Sequence, residues 1–330
     1  MARVVRFHET SGPEVLQIED MAVGDPGAGE LRLRVHALGL NRAEALFRAG
    51  LYLEQPKLPA RLGYEAAGTV DAVGPGVNGF AVGDKVSTIP GFSMNQYGVY
   101  GEQALVPAAI TVKHPENLSW EQAASIWMQY MTAYGGLVDV AGLGANDAVI
   151  ITAASSSVGL AAIQIVNALG GVSIAATRTS AKRQALLDHG AQHVIATEEQ
   201  DLVQEVNGII GGRGARIVFD PVAGAGVTML AEATAAGGII IVYGALAKSE
   251  TPFPLMAALG KGLTMRGYTL FEIVSDPARL AKGKQFVLDG LTRGTLRPVI
   301  ARTFPLERMV EAHRFMESNE QIGKIVVTVE

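Results

Sequence analysis

The sequence predicts an α/β protein in two parts, a β-rich, barrel-like first third followed by a parallel sheet with helices on both faces. Three observations carry this reading. Short segments of alternating polarity, separated by glycine and proline turns, run to about residue 120. Beyond that point apolar runs without alternation recur, as expected of strands buried on both faces. One such run leads through a tight turn straight into a helical stretch.

Taken in order, Leu31-Arg-Leu-Arg-Val-His-Ala37 alternates with period two, and Ala66-Ala-Gly-Thr-Val-Asp-Ala-Val73 continues the pattern up to Gly74-Pro-Gly76. Gly83-Asp84 marks a turn before Lys85-Val-Ser-Thr88. These pieces predict an antiparallel, barrel-like domain. A helix is expected over Glu121 to Met131, and another over Ala181 to Asp188 with Ser180 as its N-cap. Parallel strands are expected at Val149 to Ala153, Val172 to Ala176, Ile217 to Phe219 and Ile239 to Val242, with His193 to Ile195 as an additional short one. A helix around Leu255 to Gly260 and a strand from Leu263 to Tyr268 follow. The terminal Gly323-Lys-Ile-Val-Val-Thr-Val329 reads as a strand that returns to the first domain, which would leave a cleft between the two parts.

The strand Ala148-Val-Ile-Ile-Thr-Ala153, the turn Ala154-Ser-Ser-Ser-Val-Gly159 and the helical run Leu160 to Leu169 form the unit that sets backbone N–H groups beneath a dinucleotide pyrophosphate. Ser156 and Ser157 stand where glycines usually make that turn, and Gly159 keeps the small residue that lets helix and strand pack closely. An ordinary crossover without a ligand has the same outline.

Composition narrows the function classes. With 27 basic and 32 acidic side chains the net charge is -5, and no basic tract follows a phosphate backbone, so nucleic acid is not an expected partner. No apolar run reaches the length of a membrane span, and a cytoplasmic location is expected. The chain has no cysteine, which removes disulfides, thiolate metal sites and cysteine nucleophiles. Its six histidines form no close ligand pair with an acidic partner.

Gly39-Leu-Asn-Arg-Ala-Glu44, Gly50-Leu-Tyr52, Gly63-Tyr-Glu-Ala-Ala-Gly68, Val73-Gly-Pro-Gly-Val77, Gly83-Asp-Lys-Val86, Met131-Thr-Ala-Tyr134, the turn Ser155 to Gly159 and Gly323-Lys-Ile-Val326 occur in an order that resembles the medium-chain dehydrogenase/reductase superfamily. Within it, the quinone oxidoreductase and enoyl reductase branch is most similar. The resemblance spans nearly the whole chain. It implies a GroES-like catalytic domain over 1–122 and 268–330, a Rossmann nucleotide-binding domain over 123–267, NAD(P)H bound between them, and a homodimer formed through the nucleotide-binding domains. Zinc-containing relatives place their ligands at positions matching Asn41, Tyr64 and approximately Met128. An amide, a phenol and a thioether cannot supply a thiolate and imidazole set, so metal-free chemistry is expected.

Without a metal, reduction of a double bond conjugated to a carbonyl needs a hydride at the β-carbon and a donor for the developing enolate. Tyr52 is the first candidate for that donor, because its context resembles the catalytic tyrosine position of enoyl reductases. Tyr64 is the second. An ordinary tyrosine, protonated at neutral pH, can donate without any shift. Asn41 suits orientation of the nicotinamide ribose or the substrate oxygen, and Thr132 the nicotinamide carboxamide. Each has a plainer reading: boundary aromatics for the tyrosines, a turn residue for Asn41, a helix hydroxyl for Thr132.

For the cofactor, Ser155, Ser156, Ser157, Val158 and Gly159 are expected at the pyrophosphate. An NAD site usually offers an acid after the second strand. Here Thr177, Arg178, Ser180 and Lys182 stand in that place and favour NADPH through its 2′-phosphate, unless they form a solvated surface. Asp220, Val222, Tyr243, Gly244 and Phe271 are expected along the rest of the cofactor. Lys324 is expected either at the cofactor or on the surface. The function expected is NADPH-dependent reduction of a quinone, enone or enal. The alternatives are a zinc-free alcohol or aldehyde reductase and a silent NADPH-binding structural or sensing protein.

Overall fold

The computed structural model describes residues 1–247 and 249–330. It divides into two compact units, Met1–Met128 with Pro298–Glu330, and Gln129–Arg297. Residues 268–297, expected with the first part, thus belong to the second. The reason is packing: the helices Phe271–Val274 and Pro277–Arg293 cover the segment Tyr134–Val140. There Phe286 packs tilted against Tyr134, with ring centroids 5.0 Å apart, and Arg279 pairs with Asp139 at 2.5 Å.

In the first unit a seven-stranded sheet is built on the long strand Glu30–Gly39, which pairs antiparallel with Glu65–Val73, Gln103–Pro107 and Lys324–Thr328. The last of these is the expected return of the C-terminus. Its Val326, Val327 and Thr328 face Gly39, Leu38 and Ala37 across the ladder. Ile300–Pro305 adds a parallel edge to Lys324–Thr328. Register shifts in the Glu30–Gly39 and Glu65–Val73 pair are bulges, which bend and twist a sheet. A separate three-stranded sheet joins Gln17–Met21, Ala2–Phe7 and Ala60–Arg61.

The helix expected over Glu121 to Met131 is broken. Ser119 and Gln122 form a capping box for the short helix Trp120–Ala123. A new helix then covers Trp127–Ala133 and widens into the π-helical Tyr134–Val140. Side-chain anchors account for the break, since Trp127 Nε1 donates to Ser87 Oγ at 2.8 Å and the Met128 N–H donates to Glu65 Oε1 at 2.9 Å instead of to a helical carbonyl.

The second unit holds a six-stranded, wholly parallel sheet in the order His193–Ala196, Val172–Thr177, Ala148–Ile151, Ala215–Asp220, Thr234–Val242, Thr264–Gly267. His193–Ala196 is therefore the edge strand on one side. In chain order the strands run 3-2-1-4-5-6, the doubly wound arrangement, whose direction of winding reverses between Ala148–Ile151 and Ala215–Asp220. Ile150, Ile174, Val218 and Ile240 stand in the core on one face, beneath helices carrying Leu202, Val206, Leu230 and Ala231. Ser180 is not an N-cap: Thr179 precedes a 3₁₀ turn over Ser180–Lys182, and the α-helix begins only at Arg183.

Candidate active site

At the reversal point of the parallel sheet the chain leaves Ile151 and turns sharply. Ala153 takes a left-handed conformation with φ of 46°, and the Ser156 N–H closes the turn on the Ala153 carbonyl at 2.9 Å. Ser156 is the N-cap of the helix Ser157–Ala168, its Oγ accepting the Gly159 N–H at 3.0 Å. The serine that replaces a turn glycine therefore does a cap's work. Gly159 cannot be replaced without displacement, because a Cβ there would lie 2.5 Å from the Ala154 carbonyl oxygen. A helix start leaves its first N–H groups without intrahelical carbonyl partners, and Ser157 and Val158 occupy those positions. Anion recognition is what such a start offers.

Next to this turn Lys182 Nζ donates to Ser155 Oγ at 3.2 Å, so one basic residue of the segment after the second strand reaches the loop. Arg178 is exposed. Thr177 accepts the Thr197 N–H, and the Ser180 N–H donates to Glu199 Oε1 at 2.8 Å. Across the reversal point Asp220 is fully buried. It accepts from Thr152 Oγ1, from the Val222 N–H at 3.0 Å and from the Ala223 N–H at 2.9 Å, so its carboxylate shapes the adjoining turn. Tyr243 follows the fifth strand and stacks on Phe219 at 4.0 Å, its hydroxyl buried with no hydrogen-bond partner among the described residues. Gly244 packs against Pro221. Thr132 is buried in its helix, and Phe271 opens a short helix half-buried.

In the first unit the structure gathers Asn41, Tyr64 and Met128, the positions matched to zinc ligands, around a buried ammonium and two carboxylates. Asn41 caps the helix Arg42–Arg48 in a capping box with Glu44. Its amide donates to Gly39 O at 3.1 Å, Glu44 Oε1 at 3.1 Å and Glu65 Oε2 at 3.2 Å, while its Oδ1 accepts from Lys324 Nζ at 2.5 Å. Lys324 also donates to Glu65 Oε2, with its side chain wholly buried. The lysine expected at the cofactor or on the surface is thus an internal counter-charge, and Asn41 spends its polar atoms inside this cluster. Glu44 accepts the Tyr64 N–H at 3.1 Å, and burial pushes its carboxyl up to about 7 against the pull of Lys324 and Asn41. Neither glutamate was singled out from the sequence, although Asn41 and Glu44 at a spacing of three are a capping-box pattern.

Beside this cluster the Tyr52 and Tyr64 rings meet edge to face at 6.4 Å. Gly63, with φ of 106°, places Tyr64, since a Cβ there would lie 2.1 Å from the Tyr100 ring. Tyr64 is 1% exposed and packs on Phe92, whereas Tyr52 is half-buried between the exposed Leu51 and Leu53. Burial raises both phenols above their ordinary range, so both carry their protons at neutral pH.

Residues 27–116 match the alcohol dehydrogenase GroES-like domain, and residues 157–283 match the zinc-binding dehydrogenase family. Human quinone oxidoreductase is 32% identical over 99% of this chain and 98% of its own length. The chain belongs to the medium-chain dehydrogenase/reductase superfamily, in its quinone oxidoreductase and enoyl reductase branch. A 2-haloacrylate reductase of Burkholderia is 30% identical over 99% of this chain and 98% of its own. Among solved structures, an NAD-dependent alcohol dehydrogenase is 33% identical with a TM-score of 0.92, and Escherichia coli quinone oxidoreductase complexed with NADPH is 28% identical with a TM-score of 0.91. Each comparison covers 99% of this chain and 100% of the other. The zinc in one family's name has no counterpart in the donors here. The chain has no thiolate, and the described residues contain no group of three or more His, Asp or Glu side chains able to hold a metal ion.

Proposed function

We propose that this member of the superfamily reduces quinones or alkenes conjugated to a carbonyl, using NADPH and no metal. The observation that carries the reading is the Tyr52–Tyr64 pair, two protonated phenols whose rings meet edge to face beside the Asn41, Glu44 and Lys324 cluster. The second unit fits the cofactor. Ser155 to Gly159 receive the pyrophosphate at a capped helix start, with Lys182 reaching Ser155, and Arg178 and Ser180 stand toward the adenosine 2′-phosphate. Thr152 and Asp220 hold the reversal point in shape for Tyr243 and Gly244 to approach the cofactor. When bound, NADPH supplies a hydride to the β-carbon of the substrate.

Tyr52 then donates its proton to the substrate oxygen or α-carbon, where negative charge develops. Tyr64 holds the Tyr52 ring in place and is the first source of a replacement proton. The product thus gains one hydride and one proton across the former double bond, and the phenolate is reprotonated from Tyr64 and solvent. Lys324 does for this region what a metal does elsewhere: it provides the buried positive charge around which Asn41, Glu44 and Glu65 are arranged. Leu51 and Leu53 suit an apolar substrate.

The same reading includes a cytoplasmic homodimer. Phe253, Leu255, Met256 and Leu259 expose an apolar strip on and beside the helix Leu255–Lys261, next to the edge strand Thr264–Gly267. An open sheet edge flanked by apolar side chains is suited to a second copy of the chain.

Tyr52→Phe tests the chemistry. It keeps the ring and removes the donor, so kcat for an enone should fall by about a hundredfold or more while NADPH affinity holds, because a positioned acid contributes roughly that much. The assay follows NADPH absorbance with benzoquinone, phenanthrenequinone, an enone, an enoyl thioester and an aldehyde, and measures NADPH binding separately. An unchanged enone kcat would remove Tyr52 as the donor. Turnover of the aldehyde alone would favour a carbonyl reductase instead.

A further inference from the structure

We infer that Glu199 sets the balance between NADPH and NADH, by occupying the Ser180 N–H that an adenosine 2′-phosphate would use; the inference rests on the nucleotide-binding reading above. In this strand order the adenosine ribose lies at the end of Val172–Thr177, where a dinucleotide site for NADH places an acid from that same strand. This chain has Thr177 and Arg178 there. The acid arrives from the neighbouring connection instead. After the edge strand His193–Ala196 the chain runs alongside the segment in question: the Thr197 N–H donates to the Thr177 carbonyl at 2.8 Å, and the Glu198 N–H donates to the Arg178 carbonyl at 2.9 Å. That pairing carries Glu199 to Ser180, whose N–H donates to Oε1 at 2.8 Å.

The consequence is electrostatic. Glu199 is exposed, and this hydrogen bond holds its carboxyl below the usual range, so it is an anion at neutral pH. A ribose 2′-hydroxyl can donate to it. A 2′-phosphate cannot: it must take Ser180 from the carboxylate and bear the repulsion of a second anion. Arg178 offsets part of that cost, whereas Lys182 extends toward Ser155 in the pyrophosphate turn. Glu199 therefore restrains NADPH and keeps NADH usable.

The test is Glu199→Gln, with NADPH and NADH affinities measured by fluorescence titration at low and high ionic strength. Removing the charge should tighten NADPH by about five- to tenfold and weaken NADH by about two- to threefold, with the NADPH gain shrinking at high salt as screening replaces the deletion. Equal changes for the two nucleotides, or an unaltered ratio, would overturn the role of Glu199 while leaving the nucleotide site intact. A wild-type protein that binds neither nucleotide would overturn the functional reading and this inference together. The two failures are distinguished by the wild-type titration alone.

Discussion

At the scale of single residues, Lys324 carries a direct consequence for stability. Its ammonium lies 2.5 Å from Asn41 Oδ1 and is bonded to Glu65, and neither Lys324 nor Glu65 is more than 1% exposed. A buried pair adds little over an apolar substitute, but breaking it strands a charge. Lys324→Met should therefore destabilise the fold by about 3–5 kcal/mol, read as a fall in the urea midpoint. Adding Glu65→Gln removes the stranded charge and should recover part of the loss. A single variant with unaltered midpoint would contradict the internal counter-charge described here.

At the scale of elements, the helix Arg42–Arg48 is pinned to the helix Met309–Ser318 within the first unit through Arg48 and His313. Arg48 Nη1 donates to His313 Nδ1 at 2.8 Å, and Arg48 Nη2 pairs with Glu317 at 2.7 Å. Burial, then Arg48 and Arg42, hold the His313 imidazole down to about 3. The unfolded chain binds this proton near its ordinary value of about 6.5, and the folded chain does not. The stability contributed by neutral His313 is thus present above about pH 6.5 and lost as pH falls toward 3. His313→Gln, which keeps an acceptor for Arg48, should flatten stability against pH over that window by about one proton's worth of slope. Denaturant midpoints between pH 7 and pH 4 measure it, and an unaltered slope would show that His313 does not titrate on unfolding.

For the whole molecule, the exposed strip on the second unit predicts self-association. Met256 and Leu259 are 77% and 70% exposed and lie beside the exposed Phe253 and Leu255, and contiguous apolar exposure of this kind marks an interaction surface. Met256→Glu together with Leu259→Glu should convert a dimer to a monomer in sedimentation or light scattering, with each subunit's fold retained by circular dichroism, because a symmetric interface uses the same patch on both subunits and so buries each new charge twice. A wild-type monomer at micromolar concentration would remove the dimer from the reading. No helix among the described residues is long and apolar enough to cross a membrane.

Periodicity and turn chemistry were enough to read the parallel strands, the turn at Ser155 to Gly159 and the return of the C-terminal strand, because each depends on neighbours a few residues apart. The break between Ala123 and Trp127 was not legible. It is made by Ser87 and Glu65, 40 and 63 residues away from the groups they bind. The same limit hid the buried cluster: Asn41, Glu65 and Lys324 meet only after the terminal strand pairs with Glu30–Gly39, and an isolated lysine in a strand carries no sign that its ammonium will be enclosed. Glu199 was passed over because the sequence places it on a different strand's connection from Ser180, and only the parallel pairing of the two strands brings them together. Local patterns thus determined the fold class and the turn at Ser155 to Gly159. Contacts between residues distant in the chain decided which polar groups are consumed in the interior and which remain for a ligand, because only burial assigns each donor its partner.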